Sequence, residues 1–253
     1  MAPYRFASAV VGLSLAAGLL GCGEPEPRPP AVADRLTLEE EIGLGRAAAP
    51  ALERGLGGRL DNLAVQAYVR TVGQRVARAT RLADLPYRFT VVDSPGVTAA
   101  ALPGGLVYVS RGLLERLESE GQLAAALAGQ IAHLAAGHVR KALAEQFGRP
   151  ALRRAATPGE GAANEEAMAV ARAVREARCS EAQHAEADRL GLDYLAAAGY
   201  NPSEMVACLQ RTDAGASRLA RIRDTVRRKY PDRLGRVADE EYRREVLDRL
   251  RPP

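Results

Sequence analysis

The stretch Leu123–His138, LAAALAGQIAHLAAGH, decides how the rest of the chain is understood. Alanine and leucine are strong helix formers, and the stretch carries two of the chain's three histidines. In a helix, residues four apart lie about 40° from one another around the axis, and residues five apart roughly 140°. His133 therefore shares a face with Gly129, which offers no side chain, beside Gln130. His138 turns away from that face into line with Ile131 and Leu134, so the spacing makes it a packed or capping histidine.

The helix predicted here runs from about residue 121 to 146. Upstream, Thr37 and Glu40 fit a capping box ahead of a stripe of Leu38, Ile42, Ala49 and Leu52, which Pro50 and Gly57-Gly58 interrupt. A second helix buries Leu63, Tyr68, Val72 and Val76. YRFTVVD (Tyr87–Asp93) and LVYV (Leu106–Val109) have the β-branched, aromatic composition of strands. Between them, Val97–Leu102 is extended and Pro103-Gly104-Gly105 is a tight turn. Downstream the chain is helical: a polar helix from Asn164, a pair joined by Gly199-Tyr200-Asn201, a basic helix near Ser217–Lys229 and a last helix from Asp239. The expected fold class is α+β, mainly α, with a small antiparallel sheet packed on a helical bundle.

The chain has 253 residues, 47% of them apolar, and no tryptophan, so its core is aliphatic. Arginine far outnumbers lysine, which occurs only at Lys141 and Lys229. The arginine-rich run Arg218–Lys229 has no interleaved aromatics, which argues against nucleic acid. A solvated amphipathic face with Leu219, Ile222 and Val226 buried accounts for it. The first residues have the form of an export signal: Arg5, then the apolar run Ala7–Leu20, then Leu19-Leu20-Gly21-Cys22. A small residue directly before a cysteine is a bacterial lipoprotein pattern, with Cys22 as the lipid anchor. Residues 1–21 are then a signal peptide and 22–35 a proline-rich tether, followed by a domain over 36–215 and a helical extension over 216–253. The expected location is the bacterial envelope, facing the periplasm, with the outer membrane preferred. Cys179 and Cys208 are expected to remain unpaired thiols, because they sit at different levels of neighbouring helices.

Three segments together carry a resemblance: DSPGVTAAALPGGLVYVSRGLL, LAAALAGQIAHLAAGH and HAEADRLGLDYLAAAGYNP. The chain resembles the zinc metallopeptidases of family forty-eight, the HtpX-like and BepA-like gluzincins, over about Thr37 to Arg211. The resemblance implies a zincin-like domain in envelope protein quality control. It also implies an edge strand, Thr98, Ala99, Ala100, Ala101 and Leu102, against which an extended substrate can pair; Thr98 and Ala100 replace the family's asparagine and phenylalanine. The family's zinc helix carries HExxH. Its first histidine falls on Gly129, its glutamate on Gln130 and its second histidine on His133. The third ligand, a glutamate, falls on His184, and Asp188 corresponds to a carboxylate supporting the ligands. No histidine follows His184, so a further histidine common near the family's C-terminus is absent.

A catalytic zinc needs three protein ligands and an open place for water, with a carboxylate to take the water's proton. Gly129 supplies no ligand, and Gln130, at the general-base position, cannot accept that proton. No catalytic residue is therefore expected. The expectation is a pseudopeptidase that binds or scaffolds unfolded envelope proteins, with no cofactor. The alternatives are a zinc endopeptidase with rearranged ligands, His133, His184 and Glu181, and a purely structural lipoprotein. The expected partners are a membrane, through the lipid anchor, and a peptide or unfolded protein.

Overall fold

A computed structural model describes residues 36–157, 162–231 and 234–251. The expected signal peptide, Cys22 and the tether lie outside these residues. Among the described residues, no helix is long and apolar enough to cross a membrane.

Helix α1 (Leu38–Gly55) begins at the expected capping box: Glu40 N–H donates to Thr37 Oγ1 at 3.1 Å, and Thr37 N–H to Glu40 Oε2 at 2.7 Å. Pro50 was expected to interrupt this helix and does not. An interior proline forfeits one backbone hydrogen bond, at a cost of roughly 3 kcal/mol, but Leu44, Ala48 and Leu52 on either side of it are fully buried. Helix α2 (Leu63–Arg78) starts at Asn62, whose Oδ1 accepts from Val65 N–H.

Strands β1 (Arg88–Val92), β2 (Ala99–Leu102) and β3 (Leu106–Ser110) form one sheet in the order β1-β3-β2. The sheet is mixed, where an antiparallel one was expected: β2 pairs with β3 antiparallel, but β1 pairs with β3 parallel. The chain reverses at 94–98 and again at Pro103–Gly105, so β3 regains the direction of β1. All five residues of β3 are buried, so it takes the central place with both faces covered. Gly104 and Gly105 make the second reversal at φ +77° and +90°, a region other residues avoid.

The two edges differ. Gln66 of α2 seals β1, donating to Val91 O at 2.8 Å and accepting from Val91 N–H at 2.9 Å. Among the described residues no strand pairs with the outer side of β2.

The short α3 (Arg111–Arg116) leads into α4 (Glu120–Ala135), the central helix. The single helix expected over 121–146 is broken. Gly137, at φ +74°, turns the chain and α5 (His138–Phe147) starts in a new direction. Then follow α6 (Arg149–Ala156), α7 (Ala162–Glu176), α8 (Glu181–Ala197), α9 (Ser203–Arg211) and α10 (Ala216–Lys229). Residues 239–250 form α11 (Asp239–Tyr242), a π-helical turn (Arg243–Leu247) and α12 (Asp248–Leu250). Ile222, Tyr242 and Val246, from the C-terminal segment, belong to the same core as Leu123, Leu127 and Ile131 of α4.

The start of α4 is held by charge. Glu120 is 2% exposed. Its carboxylate accepts from Tyr68 and Tyr200 hydroxyls at 2.6 Å, from Arg75 at 2.7 Å and from Arg236 at 2.6 and 3.1 Å. Burial pushes this carboxyl up, but the hydrogen bonds from Arg236, Tyr200 and Tyr68 outweigh it and hold it below its ordinary value. A carboxylate held low contributes fully above its unfolded-chain value, about 4.3. That contribution is lost as pH falls through the lowered folded-state value. Glu120→Gln should therefore cost about 2 kcal/mol in urea unfolding at pH 7, and the gap from wild type should close as the titration is carried into acid.

Candidate functional site

The middle of α4 is apolar on nearly every side, because α2, α8, α9 and the sheet all pack on it. The exception is the face bearing Gly129, Gln130 and His133, which turns toward α8. His184 and Asp188 of α8 answer it across a cleft of about 200 Å³, closed on one side by Val97, Thr98 and Ala99. A groove of about 720 Å³ shares Gln130, His133 and His184 with this cleft and runs along Ala99, Ala100 and Ala101. The structure thus brings Gly129, Gln130, His133 and His184 to one cleft. Glu181 stands exposed on the first residue of α8.

The break at Gly137 changes the place of His138. On a continuous helix it would face away from His133. On α5 it swings back, and the two Nδ1 atoms lie 3.0 Å apart. The opposite nitrogen of His138, Nε2, lies 3.2 Å from Glu186 Oε2. A carboxylate only accepts, so His138 Nε2–H is the donor to Glu186. The Cys179 thiol, from the irregular stretch 177–180, is 3.7 Å from the same His133 Nδ1. The His184 ring stands edge-on to His133 with centroids 5.7 Å apart. Its Nδ1 is buried without a hydrogen-bond partner among the described residues.

Burial, reinforced by His138 and His184, depresses the His133 imidazole to about 4, so it is neutral at pH 7. Burial and the Arg218 charge also lower His184. Asp188, expected to support the ligands from behind, is instead engaged by α10. Arg218 grips it with two hydrogen bonds, of 3.0 and 2.7 Å, and Arg221 lies 3.5 Å away. The arginine-rich helix therefore does more than face solvent: Ile222 is buried, Leu219 and Val226 are partly buried, and Arg218 lines the cleft. Cys179 and Cys208 are both free thiols.

Sequence reasoning missed Cys179, His138 and Arg218 as neighbours of His133. Gly137 before His138 was a helix-stop signal that could have flagged the turn. Nothing local pointed to Cys179 or Arg218.

Comparison with known proteins accounts for the arrangement. Residues 63–243 match peptidase family M48. The putative beta-barrel assembly-enhancing protease of Vibrio cholerae is 27% identical over 180 residues, covering 67% of this chain and 37% of that protein. The beta-barrel assembly-enhancing protease of Escherichia coli K12 is 24% identical over 176 residues, covering 62% and 34%. The mitochondrial metalloendopeptidase OMA1 of Schizosaccharomyces pombe is 36% identical over 77 residues, covering 30% and 23%. The chain thus spans little more than a third of the bacterial relatives' length.

This match overturns the expectation that no cofactor belongs here, because the family is zinc-dependent. The donors at the family's positions do not make up its set. Gly129 has no donor, His133 and His184 supply two imidazoles, and among the described residues no three His, Cys, Asp or Glu side chains close around one point. What persists is room: a Cβ built on Gly129 meets nothing within 4 Å. Gly129→Ala should accordingly raise stability by about 0.5–1 kcal/mol in urea unfolding, the ordinary gain of alanine over glycine in a helix. Gly45→Ala, whose added carbon would run into the Pro103 carbonyl, should lower it. The matched span, with the cleft between α4 and α8 at its centre, establishes that the chain belongs to peptidase family M48.

Proposed function

We propose that this protein is an envelope lipoprotein of family M48 that holds extended segments of envelope proteins without cutting them. The observation carrying this reading is Gln130 in the cleft beside His133 and His184, where the family places its water-activating glutamate. An amide cannot take up a water's proton, and loss of a general base costs on the order of 10²–10⁴ in rate. Among the described residues lining the cleft, the only carboxylate is Asp188, and Arg218 occupies both its oxygens. The two imidazoles are held below their ordinary range, which weakens them as replacement bases.

The open edge of β2 supports the binding half of the reading. Ser110 N–H donates to Thr98 O at 2.9 Å, which makes that pair a hydrogen-bonded one. Antiparallel pairs alternate, so Ala100 and Leu102 turn their backbone groups toward β3, while Ala99 and Ala101 turn theirs to the outer edge. An extended segment added there lies in the groove with its side chains between β2 and α5. The names of the bacterial relatives, beta-barrel assembly-enhancing proteases, suggest envelope proteins as clients. Cys22, after an apolar run, suits lipid attachment that keeps the domain at the membrane surface, facing the periplasm.

Binding of a fluorescent extended peptide from an unfolded envelope protein should weaken about tenfold in Ala99→Pro, which loses one outward donor. Ala99→Gly should bind nearly as wild type. Incubation with zinc should leave the peptide intact. Unchanged binding in Ala99→Pro, or cleavage abolished by His133→Ala, would remove the reading. Palmitate labelling in cells should disappear in Cys22→Ser.

A further inference from the structure

Among the described residues that line the cleft and the groove, Asp188 is the only carboxylate, and Arg178 and Arg218 are the arginines. Asp188 does not offset them. Arg218 donates to it from Nε and Nη2 at 3.0 and 2.7 Å, and Arg221 Nη2 lies 3.5 Å away. Two guanidiniums on one carboxylate leave a surplus of positive charge. Arg218 Nη1 has no hydrogen-bond partner among the described residues. Arg218 lines the cleft but not the groove, so this charge sits beside Val97, Thr98 and Ala99 at the start of β2. Gln130 lines the same cleft with an amide that can donate, where a glutamate would repel an anion. Leu113, Ala125, Met205 and Leu209 give the cleft an apolar wall.

Resting on the reading of β2 as a peptide-binding edge, we infer that the cleft receives the free C-terminus of the bound segment. The terminal carboxylate takes hydrogen bonds from Arg218 Nη1 and the Gln130 amide, and an apolar last side chain packs against Leu113, Met205 and Leu209. A guanidinium with free N–H groups is a strong donor to a carboxylate, and more so in a partly enclosed site where water competes less. Chain direction agrees with charge. A segment whose end lies in the cleft and whose body follows Ala99, Ala100 and Ala101 can run either way. With its C-terminus in the cleft it runs antiparallel to β2, the more stable pairing, and brings a carboxylate to Arg218. With its N-terminus there it would run parallel and set an ammonium against a guanidinium. The cleft, at about 200 Å³, suits one terminal residue, and the groove, at about 720 Å³, takes the residues before it. Capture of a free terminal carboxylate then adds specificity to the sequence-tolerant backbone pairing of an edge strand.

The test measures the affinity of the full chain for two forms of one peptide. The first is an extended peptide, labelled at its N-terminus and ending in leucine with a free carboxylate. The second is the same peptide as its C-terminal amide. The free acid should bind about 10-fold more tightly than the amide, the difference expected when charge-assisted hydrogen bonds are lost. Arg218→Gln should bring the two affinities together. Gln130→Glu leaves the Asp188–Arg218 pair in place, and it should narrow the same gap by repelling the free acid. Ala99→Pro should weaken both forms alike. Equal binding of acid and amide to the wild-type chain overturns the inference while the peptide-binding reading stands. A gap unchanged in Arg218→Gln, or in Gln130→Glu should the arginine variant fail to fold, overturns it in the same way. Binding of neither form removes the peptide-binding reading, and the inference with it.

Discussion

Everything at the site depends on how α4 is fixed at its two ends. Its first residue, Glu120, is a buried carboxylate held by two tyrosines and two arginines from α2, the 200 loop and the C-terminal segment. Such an anchor sets both the depth and the rotation of the helix, because a buried charge cannot slide away from its partners without a large desolvation cost. Its last turn ends where Gly137 adopts a left-handed conformation. Between these points a helix buried on almost every side leaves one face free, and that face carries Gly129, Gln130 and His133.

The fold keeps a cleft between α4 and α8 lined by Gly129, Gln130, His133 and His184. Space for a side chain at Gly129 remains, and His184 still faces His133 across the gap. Asp188, however, is bound to Arg218 of α10, so a fixed guanidinium now sits among the lining residues. That ion pair joins α10 to α8 and places positive charge beside both imidazoles, which adds to burial in holding them below their ordinary values.

The sheet shows a similar division of labour. Gln66 satisfies the backbone of β1 and removes that edge from further pairing, whereas β2 retains an outward row of backbone groups beside the groove. The asymmetry comes from that buried amide together with residues 58–60, which bridge β1 at Val92 and give Leu60 N–H to Val91 O, since buried backbone groups must find partners.

The sequence by itself determined most of the helices, several of their caps and the spacing on α4. Thr37 with Glu40, Asn62, Ser110 and Ser180 all cap where local side-chain-to-backbone bonding requires. The four-residue interval from Gly129 to His133 needed only helical geometry to interpret, and the absent donor and base are visible as letters. Tertiary structure decided the rest. The direction of β1 against β3 depends on which strand can be covered on both faces, and Pro50 stays within α1 because long-range packing outweighs a local penalty. His138 meets His133 because one glycine turns the helix axis. Cys179 and Arg218 reach the same imidazoles from segments about 45 and 85 residues further along, and no local pattern records a contact made by packing alone.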